Sequence, residues 1–187
     1  MRVTIAHTLP LLLLCALPAP ARAQAPAMDP ATCPMHEQHM KEQKLDERGD
    51  AHMGFGHDRT THHFLITETG GAIQVAANDP ADSESRDQIR HHLAEIAGKF
   101  AAGDFSAPKA IHDRVLPGVP EMIAHKDSIT WRYEEMKRGG QVVITTADPQ
   151  ALSAVHEFLQ AQIADHRTGD ATENHALLAP PPEPVKQ

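Results

Sequence analysis

An internal repeat is the feature that most constrains how this chain folds. The 187-residue sequence aligns on itself at an offset of 69 positions, where residues 70–80 (GGAIQVAANDP) match residues 139–149 (GGQVVITTADP) without a gap. A strand-like run precedes each copy, at 62–68 and at 129–136, and a helical run follows each. Two glycines between strand-like runs are typical of a hairpin turn. The repeat therefore predicts a unit of strand, Gly-Gly turn, strand and helix that occurs twice.

Apolar periodicity supports one helix after each hairpin. Asp79, or a serine between 83 and 85, would begin the first helix, and Asp148 followed by Pro149 would begin the second. Alternating apolar residues in the strands would give both helices a shared surface. The predicted fold is α+β: a two-layer sandwich of a four-stranded antiparallel sheet and two helices from a duplicated unit, with disordered N- and C-terminal extensions. Residues spaced three or four apart on one face are Ile89, Leu93, Ile96, Ala97 and Phe100 in the first helix, and Leu152, Val155, Leu159 and Ile163 in the second.

The N-terminal segment has the pattern of a signal peptide. Arg2 precedes an apolar run at 9–17, and Ala21-Arg22-Ala23 has the small-x-small form of a signal peptidase site. Cleavage is predicted after Ala23, which would export the protein to the periplasm. The run is shorter than the about 20 residues that a membrane-spanning helix needs. No membrane span is expected elsewhere in the chain.

The segment after the signal peptide is rich in Met, His and charged residues and has almost no branched aliphatic residues, so it cannot form a core by itself. Within it, residues 34–48 have the pattern of a short helix that ends before Gly49. The C-terminal end contains Ala-Pro-Pro-Pro-Glu-Pro and predicts a disordered tail. The predicted regions are a signal peptide at 1–23, a metal-ligand-rich extension at 24–56, the α+β domain at 57–167 and a disordered Pro-rich tail at 168–187.

Charge and composition favour a metal over nucleic acid as the partner. The chain has a net charge of −8, and removal of the signal peptide would make it two units more negative. Without a block of Lys and Arg, it lacks the positive surface that a phosphate backbone requires. The 14 histidines, in a chain with only 4% aromatic residues, instead indicate metal binding.

The sharpest local motif is Cys-Pro-Met-His-Glu-Gln-His-Met at 33–40. Thiolate and thioether sulfur favour Cu(I), whereas imidazole suits copper or zinc, so copper is the expected ion and zinc the second choice. In a helix these donors would form pairs at i, i+4, and several sets of two or three ligands stay open. The alternative is a polar exported tail that binds nothing. The candidate ligands are Cys33, Met35, His36, His39 and Met40.

This motif resembles the Cys-Pro-Met-His heavy-metal-binding segment near the ends of copper and heavy-metal efflux proteins. The resemblance implies metal binding by Cys33, Met35 and His36. Those segments commonly continue with proline after the histidine, whereas Glu37 stands here.

A second resemblance covers residues 53–170. The Met-Gly-Phe block at 53–55 and the Thr-Thr-His-His-Phe block at 60–64 are similar to a family of small exported bacterial proteins. This resemblance implies one domain type and does not imply an activity.

A second set of candidate ligands lies where the extension meets the domain: His52, Met53, His57, His62 and His63. Strand alternation places His62 and His63 on opposite faces, so the two do not easily share an ion. The expected site combines one of them with His57, Met53 or His52, and with His112 or His125 from the linker between the repeats. The alternative is a backbone hydrogen bond for His62 and simple exposure for His63.

The other histidines in helical runs, His91, His92, His156 and His166, are expected to be structural. Motifs of common enzyme classes are missing: there is no Gly-x-Ser-x-Gly, no phosphate-binding loop and no Cys-x-x-Cys-His. The His-Glu-Gln-His run at 36–39 is one residue short of the zinc protease pattern.

The leading hypothesis is an exported copper-binding protein that captures, buffers or delivers the ion, with a metal-transfer protein as a partner. One alternative is a metal-dependent enzyme that uses a cluster of His57, His62 or His63 and His112 in the α+β domain. Another is a protein-interaction module. A third is a binder of non-covalent haem, with His and Met as axial ligands.

Overall fold

The two repeats form two β-hairpins that join into one sheet. The computed structural model describes residues 34–173. The first hairpin consists of β1 (Thr60–Thr67) and β2 (Gly70–Ala77), and the second of β3 (Ile129–Met136) and β4 (Gly139–Thr146). The strand order is β1-β2-β4-β3, and all neighbouring strands are antiparallel. The predicted four-stranded antiparallel sheet is confirmed.

Helices pack on one face of this sheet and fill the connection between the repeats. The two long helices after the hairpins were predicted. None of the helices in the described part of the chain is both long and apolar enough to cross a membrane. The helices are α1 (Pro34–Met53), α2 (Ser83–Ala101), α3 (Ser106–His112), α4 (Val119–Ala124) and α5 (Pro149–His166), with single 3-10 turns at His57–Arg59 and Lys126–Ser128.

The pairing of β2 with β4 follows the 69-residue repeat. Ile73 pairs with Val142, which is its counterpart in the other repeat, so a pseudo-twofold axis passes through this pair. The backbone N–H of Ala77 donates to the carbonyl of Arg138 in the turn of the second hairpin. The equivalent N–H in β4 donates to the turn of the first hairpin. Each turn is therefore held by the opposite hairpin.

Each long helix covers the hairpin of the other repeat. α2 packs mainly on β3 and β4, and α5 mainly on β1 and β2. Arg90 of α2 donates to the carbonyl of Met136 at 2.8 Å. His156 of α5 reaches the equivalent carbonyl of the first hairpin, that of Thr67, at 2.9 Å. Because the helices are crossed in this way, neither repeat can bury its apolar face alone.

The core lies between the sheet and these two helices, where the apolar periodicity predicted it. The helix faces predicted from spacing are buried, except that Leu152 is only half-buried. Asp148 accepts hydrogen bonds from the first N–H groups of α5, as predicted, whereas α2 begins later than Asp79, with Asp82 as its cap. The sheet contributes Phe64, Ile66, Ile73, Val75, Val142 and Ile144, all buried.

The prediction that the glycine pairs form the turns is wrong. Gly70 and Gly139 each pair with the last residue of the preceding strand, so the two-residue turns lie at 68–69 and 137–138. A Cβ on Gly70 would lie 2.1 Å from the carbonyl oxygen of Ile144 in β4, and Gly139 has the equivalent contact with β2. The glycines are needed because the two central strands approach each other closely there.

α1 continues past the end predicted for it. The spacing predicted an end before Gly49, yet the helix runs through this glycine to Met53. Gly49 and Leu45 are buried, so packing against the domain carries the helix through a residue that would otherwise weaken it. Arg48 also donates from Nε to the carbonyl of Ile111 at 2.5 Å. The second half of α1 thus packs with the domain, ahead of the start predicted at residue 57.

The first residues of the predicted tail contact the sheet. Asp170 accepts a hydrogen bond from the backbone N–H of Phe64 at 2.8 Å. β1 is an edge strand, and this carboxylate satisfies an N–H group that the sheet leaves unpaired. The signal peptide predicted at 1–23 and the disorder predicted at 24–33 and 174–187 lie outside the described residues.

Replacing Gly139 with alanine is expected to lower the free energy of unfolding by about 2 kcal/mol or more. The reason is steric, because the new Cβ would lie 2.1 Å from the carbonyl oxygen of Val75. Urea unfolding measures the change. Gly98→Ala in α2 is the matched control, since the Cβ that alanine adds there would meet nothing within 4 Å and alanine favours a helix. A Gly139→Ala protein as stable as wild type would contradict the close approach of β2 and β4.

Candidate functional site

The first two turns of α1 expose the donors of the 33–40 motif. Met35, His36, His39 and Met40 are all exposed, and Met35 retains 79% of its accessible surface. As predicted for a helix, Met35 and His39 lie one turn apart, and so do His36 and Met40. The remaining predicted ligand of this motif, Cys33, lies outside the described residues.

The second half of α1 attaches these turns to the domain. Leu45 is buried, and Glu42 forms an ion pair of 2.5 Å with Arg167 at the end of α5. Together with the bond from Arg48 to Ile111, these contacts hold the helix at two places on the domain surface. The exposed donors therefore stand on an anchored helix.

Three ligands of the second predicted set lie apart on the surface. The Nδ1 atom of His57 is 3.0 Å from the carboxylate of Asp50, and this hydrogen bond raises the pKa of His57. The Nδ1 atom of His63 is 2.9 Å from Asp170. His52 is exposed on the last turn of α1. The set does not converge on one point, because separate carboxylates hold His57 and His63.

His62 faces the opposite way, into a cavity between the sheet and the helices. As strand alternation predicted, it shares the side of Phe64 and Ile66. The cavity has a volume of about 70 Å³, and within residues 34–173 no Asp or Glu side chain lines it. Most of its wall is aliphatic or aromatic. The side chains that bring nitrogen, oxygen or sulfur to the wall are Met53, His62, His92, His112, Gln162 and His166.

Ring contacts connect the histidines around the cavity. The rings of His62 and His166 lie nearly parallel, at 8°, with centroids 5.9 Å apart. His112 meets His166 edge-on at 5.1 Å. Phe55 contacts His62 at 6.0 Å and His92 at 5.7 Å. The fold thus gathers imidazoles from β1, α2, α3 and α5 at one cavity, although they are far apart in the sequence.

Burial keeps three of these imidazoles neutral. It lowers the pKa of His62 and of His92 to about 4, and that of His166 to about 3. The Nε2 atom of His62 is buried and has no hydrogen-bond partner among the described residues. Native proteins leave few buried polar atoms unpaired, so this nitrogen requires an explanation. A neutral imidazole with a free nitrogen is the form that binds a metal ion.

His112 is placed differently, although it also borders the cavity. Its Nδ1 is 2.7 Å from the carboxylate of Asp165, and its Nε2 is 3.0 Å from the side-chain oxygen of Gln162. Burial lowers its pKa, against the opposing effect of Asp165. Both ring nitrogens are engaged, so this predicted ligand is not free to bind an ion in the present arrangement.

Sequence reasoning missed His92 and His166 as functional candidates. His156 fits its predicted structural role, because its ring bonds a backbone carbonyl. The sequence contains a pattern that could have identified this pair, because His92 is three residues after Ile89 and His166 is three residues after Ile163. Those spacings place both imidazoles on the buried helix faces.

Among the described residues, the cavity does not place three or more His, Cys, Asp or Glu side chains around one metal ion. No such group lies elsewhere within residues 34–173 either. The hypothetical enzyme site requires His57 to meet His62 or His63 and His112. The structure instead holds His57 and His63 against carboxylates on the surface.

Comparison with known proteins assigns no relative to the chain. No family model matches it, and no curated protein or solved structure is significantly similar to it. The two resemblances drawn from short motifs therefore stay predictions.

Lowering the pH from 6.5 to 5 is expected to destabilise the protein. An unfolded histidine has a pKa of about 6.5, whereas burial lowers the pKa of His62 and His92 to about 4 and of His166 to about 3. The unfolded state therefore binds more protons as the pH falls below 6.5. Each of the three histidines should reduce the free energy of unfolding by up to about 1.4 kcal/mol per pH unit, whereas the stabilisation from His57, whose pKa is raised, is lost only as the pH rises above 6.5.

Urea unfolding at several pH values measures this slope. His166→Leu removes one of the three groups, so its slope should be flatter by up to about 1.4 kcal/mol per pH unit. Ile163→Val, a buried apolar change one turn earlier in α5, is the control and should change stability without changing the slope. Equal slopes in His166→Leu and wild type would show that His166 is not held neutral by the fold.

Proposed function

We propose that this protein is an exported copper-binding protein that captures the ion at the first two turns of α1. One observation carries the proposal: two thioethers and two imidazoles are exposed on an anchored helix, directly after Cys33 in the sequence. Sulfur donors prefer Cu(I), and imidazole accepts either copper or zinc. This mixture therefore favours Cu(I), with zinc as the weaker competitor.

Anchoring of the helix supports capture and transfer. The ion pair between Glu42 and Arg167 and the burial of Leu45 hold the donors in place before an ion arrives. A preorganised site loses less conformational entropy on binding than the same donors on a free tail. Because the donors remain exposed, a metal-transfer partner protein can replace them one ligand at a time.

Export is part of the proposal. Cleavage after the predicted signal peptide would leave Cys33 as the only cysteine of the mature chain. It would then have no intramolecular disulfide partner, even in an oxidising periplasm. Its thiol would stay available to the ion.

Replacing Met35, His36, His39 and Met40 together with glutamine is expected to weaken Cu(I) binding by about tenfold or more. The physical reason is the loss of both thioethers and both imidazoles from the exposed helix face. The measurement is competition with a Cu(I) chelator under anaerobic conditions, on the chain beginning at Gln24. A double change at other exposed positions of α1, Gln38→Ala with Gln43→Ala, is the matched control and should keep the wild-type affinity. Equal affinity in both variants would refute capture at this face.

Cys33→Ala is expected to lower the affinity for Cu(I) and leave the unfolding temperature unchanged. The thiolate is the softest donor of the motif, so its loss should reduce the preference for Cu(I) over Zn(II). Parallel competition titrations with both ions measure this preference. An unaltered preference would remove the thiolate from the site.

A further inference from the structure

We propose that the cavity of the α+β domain is a second, buried Cu(I) site, with His62, His166 and the thioether of Met53 as its ligands. The inference rests on the copper-binding function proposed above, and it adds an interior holding site to the exposed capture site. All three side chains line the same cavity, which α1, β1 and α5 bring together.

The spacing of the two imidazoles fits one shared ion. An ion bound at about 2 Å from a ring nitrogen lies roughly 3 Å from the ring centroid, so two rings on one ion have centroids within about 6 Å. The centroids of His62 and His166 are 5.9 Å apart. The rings lie nearly parallel, so binding of one ion requires at least one ring to rotate until both nitrogens point into the cavity of about 70 Å³.

The unpaired nitrogen of His62 supports a ligand at this place. Its Nε2 atom is buried and has no hydrogen-bond partner among residues 34–173. Phe55 and Phe64 contact the same ring, with centroids 6.0 and 6.4 Å away, and offer it no polar atom. An ion bound to Nε2 would satisfy this buried nitrogen, for which the described residues offer no partner.

The side chains on the cavity wall favour a soft ion that carries a single positive charge. Imidazole and thioether ligands are neutral, and the described residues place no carboxylate on the cavity wall to balance a divalent ion. Burying an unbalanced charge in apolar surroundings is costly, and more so for two charges than for one. Cu(I) accepts imidazole and thioether donors, whereas calcium and magnesium require oxygen ligands.

A surface groove beside the cavity offers a route for the ion. His52 and His92 line the groove, and the groove shares His92, Ile96 and Ala107 with the cavity wall. His92 therefore borders both spaces, and the exposed His52 directly precedes Met53. Stepwise ligand exchange along these donors would move an ion from the surface to the interior site.

The test separates the two sites in the chain beginning at Gln24. A capture-deficient protein combines Cys33→Ser with glutamine at Met35, His36, His39 and Met40. Anaerobic Cu(I) titration against a chelator is expected to show one ion still bound per chain. X-ray absorption at the copper edge should then report both nitrogen and sulfur neighbours.

Two further changes in this capture-deficient protein address the interior ligands. Met53→Leu should remove the sulfur neighbour, and His166→Leu should weaken the remaining binding by about tenfold or more. Matched controls are Met136→Leu and His91→Leu, since neither side chain lines the cavity. Both controls should bind as the capture-deficient protein does, and the unfolding temperature of each metal-free variant verifies that it folds.

The outcomes distinguish the two proposals. If the capture-deficient protein binds no Cu(I), the interior site is overturned and capture on α1 stands. If it binds as much as wild type, and only Met53→Leu and His166→Leu reduce binding, capture on α1 is overturned and the interior site stands. Undiminished binding in a folded His166→Leu protein, or a preference of the interior for Zn(II), overturns the interior Cu(I) site. A wild-type chain that binds no Cu(I) overturns both.

Discussion

The backbone pairing of β2 with β4 is the contact on which the rest of this structure depends. It joins the two repeats at the Ile73–Val142 pair, and it requires glycine where the two strands approach too closely for a Cβ. The helices then cross over, so that α2 covers the second hairpin and α5 the first. The apolar face of each long helix packs on the hairpin of the other repeat. The core therefore requires the pairing of β2 with β4. The contacts that hold the two repeats together are therefore distant in the sequence.

The same crossing makes the cavity. β1 supplies one imidazole and α5 another, while α1 and α3 close the side of the space with Met53 and His112. Apolar side chains would suit such walls better than three neutral imidazoles, one of which has a buried nitrogen without a partner in the described structure. Buried polar groups that do not serve stability are most often found where a protein binds something. The cavity and the exposed helix therefore present two sets of soft donors on one domain, which is the basis of the copper proposals.

The sequence predicted local structure well where a periodic pattern carried the information. The apolar spacing of Ile89 to Phe100 identified the buried face of α2, and Asp148 before Pro149 identified the start of α5. The prediction failed where the same residue type serves two purposes. Glycine pairs occur both in turns and where strands approach closely, and only the partner strand distinguishes the two cases. Gly49 was likewise predicted to follow the end of α1, yet packing on the domain carries the helix through this residue to Met53.

The sequence by itself determined the duplicated unit, the α+β class, the opposite faces of His62 and His63, and the collection of soft donors at 33–40. These features follow from patterns within one element, where the spacing of residues settles which side chains share a face. Only the tertiary structure decided which elements meet. It separated His57 and His63 from the predicted cluster by pairing them with carboxylates, and it brought His166 to within 5.9 Å of His62 across a distance of 104 positions in the chain. The physical reason is that strand order and helix crossing depend on long-range packing, which no local pattern in the sequence records.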